Sequence, residues 1–453
     1  MTRDTRRLLG ARILSEANDL KRTIAALAEE LGIDKDKLER IIKGHCSLEE
    51  TYDVIERMGE HYPIDASDLY VPEDDCTNDV KIMRAETSQA SERIFNRKDR
   101  NGDQTSYYAY RDTAMSSIGP FKPEWIKELR VVGNADPENP DVAYNNGHFL
   151  HQMTFFVGPV NFCWKVDGKS FCHEMNTGDS NYITPFWPHS FANRDKNQEA
   201  IIIAVTFAGE VRRSLKELYA LGESGIKGYQ IDIRNHAKAS TQLLIQHLAN
   251  ECVTPELFAK RLAASSPSTC AAHLLDESKE KTLEELAAAA RCLDIELGDL
   301  LLPPYKPEEE VVVRHAKPED SYLYPSTDIA HYLITPLARS SRMPLMKGFA
   351  IDVLANRDAQ PFSTSLHEYV FNYGNVPATV HWKSNDAWFQ ETIHPNDSMY
   401  IKPFIAHAFT TASTPPAKLC VMRVSGAVNL ATQKELSSFH DLNRIIESTC
   451  WFS

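Results

Sequence analysis

The run Asn145-Asn146-Gly147-His148-Phe149-Leu150-His151-Gln152 offers two metal donors four residues apart, an imidazole at 148 and an amide oxygen at 152. Side chains on a strand alternate between faces, so 148, 150 and 152 share one face if the run is extended. Asn-Asn-Gly at its entry reads as a turn or bulge, which would bring 148 and 152 close enough to share an ion. Thirty-seven residues after Gln152 stands His189, in Pro188-His189-Ser190-Phe191-Ala192-Asn193, following a turn at Thr177-Gly178-Asp179-Ser180. Two imidazoles and one oxygen donor on one face leave three adjacent positions open on an octahedral ion. That is the facial arrangement of non-haem iron(II) sites. A closed zinc site needs a fourth protein ligand, and none stands out. The competing reading makes both histidines satisfied interior polar groups; a pair at this spacing favours the metal. His151 alternates to the opposite face and reads as structural.

The elements that must position these residues occur twice. Thr23 precedes a period of three to four in Ile24, Leu27, Ala28 and Leu31, and Gly32 ends it. Asp34 then serves as an N-cap for the stripe Leu38, Ile41 and Ile42, stopped by Gly44. Two short helices across so tight a connection resemble a helix-turn-helix. The segment closes with Asp68-Leu69-Tyr70-Val71-Pro72. A similar segment from about Ile231 closes with Asp299-Leu300-Leu301-Leu302-Pro303, offset by 231 residues. After each come short runs rich in Val, Ile, Phe, Tyr and Trp, broken by Asn, Gly, Asp and Pro, the pattern of an all-β sandwich or barrel. His151-Gln152, Gly158, Trp164, Asp179, Pro185, His189 and Phe191 recur as His367-Glu368, Gly374, Trp382, Asp397, Pro403, His407 and Phe409, offset by 216 residues and by 218 from the tryptophan onward. The chain therefore reads as a tandem duplication: a helical domain over 1–75, a catalytic barrel over 76–215, a second helical domain over 216–305 and a second barrel over 306–453. The second barrel has Thr364, Glu368 and His407 where the first has His148, Gln152 and His189. Threonine cannot replace imidazole, so that barrel reads as degenerate and structural.

Composition narrows the class. The chain has 453 residues, too many for one core, with 42% hydrophobic and 25% charged residues. A net charge of −14 gives no reason at whole-chain level to expect a polyanionic partner. The opening residues Met-Thr-Arg-Asp-Thr-Arg-Arg are charged and no apolar core follows, which argues against a secretory signal and for a cytoplasmic protein. The apolar stretch from Ala200 to Gly209 is about half of the ~20 residues a membrane span needs and reads as a buried strand. Nine cysteines without a Cys-x-x-Cys pair argue against a disulfide framework or thiolate zinc site, and for idle thiols.

The histidine motif on one strand, then a Gly-Asp turn and a Pro-His with Asn four residues later, resembles the two-motif signature of the cupin superfamily. Helix-turn-helix plus cupin, duplicated in one chain, further resembles the phosphonate-oxidising iron enzymes, the hydroxyethylphosphonate dioxygenase and methylphosphonate synthase family. Hydroxypropylphosphonate epoxidase is its single-repeat cousin. The likeness covers nearly the whole chain and is most specific at Asn145–His148 and from Gly178 to His189. The family's carboxylate ligand is missing here. Gln152 stands where the epoxidase has Glu, and Asn181-Tyr182-Ile183-Thr184-Pro185 lacks the alternative carboxylate six residues before the last histidine. Two histidines and one glutamine are the triad of the branch that forms methylphosphonate. The resemblance implies Fe(II) on His148, Gln152 and His189, and catalytic roles for Lys21 and Tyr110. It implies substrate contacts from Lys21, Arg100, Tyr110, Asn145, Ser180 and His189, with Arg97 as the alternative to Arg100 and Lys21 reaching in from a neighbouring subunit of a homo-oligomer. It further implies that 2-hydroxyethylphosphonate and O2 give methylphosphonate and carbon dioxide or bicarbonate. Hydroxymethylphosphonate with formate is the alternative outcome. A reading from another class is a transcription regulator with cupin sensors, in which Lys35, Lys37, Arg40 and Lys43 contact DNA phosphates.

Overall fold

A computed structural model describes residues 5–445. The chain divides into two compact units, one holding the residues up to Phe207 and those from Val312 onward, the other running Ala208–Val311. The first unit begins with α1 (Thr5–Asp19), α2 (Ile24–Leu31), α3 (Lys35–Ile42), α4 (Leu48–His61) and α5 (Ala66–Leu69). Thr23 Oγ1 accepts the Ala26 N–H, Asp34 Oδ1 accepts that of Lys37, and Gly32 closes α2 at φ +65°. These are the starts and stops expected from the sequence, because capping chemistry is local. Leu9, Ile13, Leu27, Leu38, Ile41, Val54 and Ile55 form the core of this helical segment.

The strands before Ala208 are β1 (Val80–Met83), β2 (Arg93–Lys98), β3 (Gln104–Asp112), β4 (Phe121–Glu128), β5 (His151–Val157), β6 (Val160–Val166), β7 (Lys169–Met175), β8 (Ser180–Ile183), β9 (His189–Asn193) and β10 (Ile201–Phe207). Those that follow are β11 (Val311–Arg314), β12 (Tyr322–Pro325), β13 (Ala330–Pro336), β14 (Met346–Val353), β15 (His367–Asn372), β16 (Ala378–Ser384), β17 (Ala387–Ile393), β18 (Ser398–Ile401), β19 (His407–Thr410) and β20 (Ala417–Val424). They form two seven-stranded sheets, β11-β8-β5-β10-β4-β3-β2 and β1-β18-β15-β20-β14-β13-β12, and two three-stranded sheets, β7-β6-β9 and β17-β16-β19. The two sheet pairs thus repeat one strand order, with an exchange at the edge. β1 lies beside β18 and β11 beside β8, so each edge strand sits in the sheet built mainly by the other half of the chain. Boundaries drawn at 76 and 306 therefore do not enclose either pair of sheets.

Alternation along the strands sorts the side chains. Phe121, Trp125, Met153, Phe155, Ile203 and Val205 face outward from the first large sheet and share one core with Tyr369, Phe371, Cys420 and Met422 of the second. Gln152, Thr154 and Phe156 turn the other way, and the Phe156 ring meets Phe162 and Phe191 of the small sheet. The Asp179 carboxylate, in the Gly-Asp turn, accepts the Ala316 N–H at 2.8 Å and lies 3.0 Å from His315 Nδ1, anchoring the residues after β11. Asp397 does the same for Ala85 and Arg84 after β1.

The unit Ala208–Val311 is helical, with its core built from Leu244, Leu248, Phe258, Leu262, Leu274, Leu286 and Leu293. The buried Lys281 ammonium lies within hydrogen-bond distance of four acceptors for its three hydrogens, Thr241 Oγ1 and the Ala237, Asp276 and Lys279 carbonyls. Among the described residues, no helix is long and apolar enough to cross a membrane.

Candidate metal centre

His148 precedes β5 rather than lying on it, because the segment from Val142 to His148 is irregular. What holds this segment is a set of bonds to β9 and to the turn before it. Asn145 N donates to the His189 carbonyl at 3.0 Å, and Asn145 Oδ1 accepts the N–H groups of His189 and Gly147 at 3.0 and 2.9 Å. The Phe186 N–H reaches the His148 carbonyl at 3.0 Å. Gly147 makes this approach possible. It sits at φ +73°, and a Cβ there would lie 2.3 Å from the Phe186 carbonyl carbon. Tyr107, fully buried, ties both sides together, its hydroxyl accepting the Ala143 N–H and sharing a hydrogen bond with Ser190 Oγ at 2.8 Å.

These constraints gather the three expected donors. His148 Nε2 lies 3.0 Å from Gln152 Oε1, and the His148 and His189 rings stand nearly perpendicular with centroids 5.2 Å apart. Gln152 and His189 are buried. Because the Trp187 carbonyl can only accept, His189 Nδ1 carries the proton it donates there at 2.9 Å, leaving Nε2 with a lone pair. Burial pushes this imidazole down to about 4, and neighbouring His148 adds to the effect, so it is neutral at pH 7. Asn145 Nδ2 donates to that Nε2 at 3.0 Å. His148 Nδ1 is buried and has no hydrogen-bond partner among the described residues.

The remaining expected residues fare differently. Tyr110 lies on β3 among Phe95 and Tyr108. Burial raises its phenol, Glu124 and Glu128 add to the rise, and Arg97 opposes it. At Ser180, β8 turns the side chain toward the shared core, where Oγ accepts the Ala338 N–H at 2.8 Å. Ser180 is opposite Phe155, whereas Asn181 and Ile183 are opposite Thr154 and Gln152. The Arg100 guanidinium is exposed and paired with Asp141. Lys21 is exposed, with Nζ 3.3 Å from the Asn18 and Asp19 carbonyls at the end of α1. The expectation of idle thiols fails at one place. Cys163 and Cys172 are directly opposite on β6 and β7 and form a disulfide. Hairpin register, not a Cys-x-x-Cys spacing, brings them together. Tyr107, Thr154 and Glu128 were not read from the sequence, since nothing local distinguishes an inward tyrosine, threonine or glutamate from an ordinary strand residue.

The second pair of sheets is an internal comparison. Phe404 N donates to the Thr364 carbonyl as Phe186 N does to His148, so Thr364 is the true counterpart of His148. Beside Gln152 in the sheet stands Thr206; beside Glu368 stands Arg423. The Arg423 guanidinium binds Glu368, and His407 Nε2 lies 2.8 Å from its other oxygen. Burial alone would raise the Glu368 carboxyl, but Arg423 and His407 outweigh it and hold it at about 2. A buried cation thus compensates the Glu368 carboxylate.

Fold and site together define a mixed α and antiparallel-β protein with an enclosed His-Gln-His donor set. No family model matches the chain. The chain is 36% identical to methylphosphonate synthase of Nitrosopumilus maritimus (strain SCM1) over 450 residues, 98% of this chain and 95% of that protein. The Streptomyces albus hydroxyethylphosphonate dioxygenase, solved with 2-hydroxyethylphosphonate and Fe(II) bound, superposes with a TM-score of 0.89 at 31% identity, covering 99% of both chains. Another hydroxyethylphosphonate dioxygenase, 18% identical, shares the fold at a TM-score of 0.73 over 96% of this chain and 98% of its own. The chain belongs to the methylphosphonate synthase and hydroxyethylphosphonate dioxygenase family.

Proposed function

We propose that the protein is a non-haem Fe(II), O2-dependent oxidoreductase that cleaves the carbon–carbon bond of 2-hydroxyethylphosphonate, giving methylphosphonate and carbon dioxide or bicarbonate. The 36% identity to methylphosphonate synthase along 98% of the chain carries this reading. We read the two sheet pairs as cupin barrels of a tandem duplication, each joined to a helical domain, the first helix-turn-helix-like, and the protein as cytoplasmic.

The donor set fits Fe(II). His189 is neutral with Nε2 unprotonated, Gln152 turns Oε1 inward, and His148 Nε2 meets it. When bound, iron supplies open positions for substrate and O2 and the redox chemistry of the cleavage. All three protein donors are neutral, so they leave the ion's charge uncompensated, which favours a dianionic phosphonate. Asn145 Nδ2 and the Tyr110 phenol, kept protonated by burial, are the hydrogen-bond donors for phosphonate oxygens. Arg97 is the better cation for that group than Arg100, because Asp141 engages Arg100 while Arg97 acts on Tyr110. Lys21 enters this scheme as a residue lent by a second copy in a homo-oligomer. The substrate supplies all four electrons that reduce O2, so no 2-oxoglutarate is consumed.

The test is oxygen uptake with 2-hydroxyethylphosphonate and Fe(II), with phosphorus NMR of the product. Substrate-dependent uptake and a methyl-bearing phosphonate are expected. The match to the dioxygenase at a TM-score of 0.89 favours a second reading, hydroxymethylphosphonate with formate, and a hydroxymethyl product would establish it instead. The DNA-binding reading is weakened by Lys35, Lys37 and Lys43, which pair with Glu39 and Glu50.

A further inference from the structure

An amide is a demanding ligand. Its oxygen must face the metal, and its N–H2 group must then be satisfied on the other side, inside the protein. Gln152 meets this demand in one way only: Nε2 donates to Thr154 Oγ1 at 2.9 Å while Oε1 faces His148. Thr154 is two residues further along β5, on the same face, and is fully buried, so no solvent can take over. A buried amide N–H left without an acceptor costs about 1–3 kcal/mol. Without the hydroxyl, rotamers that carry the amide away from the histidines would compete. The second pair of sheets shows the same position when no amide needs holding. There the carboxylate Glu368 is followed two residues later by Val370, and its oxygens are held by Arg423 and His407. Hydroxyl accompanies amide, and methyl accompanies carboxylate.

We propose that Thr154 is a positioning residue that keeps Gln152 in place as a metal ligand by accepting its amide hydrogen. This rests on the reading of His148, Gln152 and His189 as the iron site. Thr154→Val is nearly isosteric and removes only the hydroxyl, so the measurement is Fe(II) and Co(II) affinity by equilibrium titration of the full chain, with the thermal midpoint recorded alongside. Losing a partner that orients a ligand weakens metal binding by about 10–100-fold, and Thr154→Ser should restore most of it. In a Gln152→Ala background Thr154→Val should add no further loss. Unchanged affinity in Thr154→Val, failure of serine to rescue, or an equal loss in the Gln152→Ala background would each overturn the proposal while leaving the iron reading intact. A wild-type protein that takes up neither ion would remove that reading and the proposal with it.

Discussion

Gln152 presents Oε1 to His148 Nε2 at 3.0 Å and donates its amide hydrogen to Thr154. Glu128 is its opposite. This carboxyl is buried with neither oxygen partnered among the described residues, and burial pushes it well above the usual carboxylate range. Its linkage to stability follows from that direction. The unfolded carboxyl ionises near pH ~4.3, while the folded one stays neutral to much higher pH, so the stability it lends below that value is lost as pH rises toward the folded pKa. Glu128→Gln removes the titration. Chemical denaturation of wild type and variant should therefore diverge above about pH 4.3, increasingly in favour of the variant; parallel stability curves would contradict it. At this scale the sequence marks the two histidines and Gln152 as candidates because ligand types at a motif spacing are a local signal, and the fold brings them together. The face that Ser180 turns was not legible, because a neighbour of the motif in sequence can lie on the opposite face of a strand, as Ser180 does in bonding Ala338.

At the scale of elements, the site depends on an irregular segment clasped by β9 and the Phe186 turn. Gly147 is its tightest point, combining φ +73° with a Cβ position occupied by the Phe186 backbone. Gly147→Ala would force the segment outward and draw His148 from Gln152. We expect metal affinity to fall at least tenfold, while the disulfide hairpin β6–β7 and the helical segments keep their structure. Calorimetric metal titration with a circular dichroism control measures this, and an affinity within twofold of wild type would disprove it. The caps of α2 and α3 were legible because Thr23, Gly32 and Asp34 act within one turn. The clasp was not, because its partners are about forty residues apart in sequence.

At the scale of the whole molecule, two sheet pairs of one strand order carry opposite electrostatics at equivalent positions. Gln152 beside Thr206 is neutral; Glu368 beside Arg423 is a buried ion pair. Arg423→Leu would strand the Glu368 carboxylate in the interior, which costs about 3–5 kcal/mol. The double replacement Glu368→Gln with Arg423→Thr recreates the neutral pair and should recover most of that loss. Urea unfolding midpoints decide it: a double variant as unstable as the single one would show that the charge is not the cause.

The sequence by itself determined the repeat, the helix ends, the strand-rich regions and the three candidate ligands, because periodicity, caps and motif spacing act over a few residues or recur at a fixed offset. Only the tertiary structure decided which strands exchange between sheets, that Cys163 meets Cys172, that Asp141 takes Arg100, and that Arg423 pairs with Glu368. Each of these depends on register or on a partner far away in the chain. A residue's type is written locally, but the face it turns and the charge it meets are set by the strand beside it.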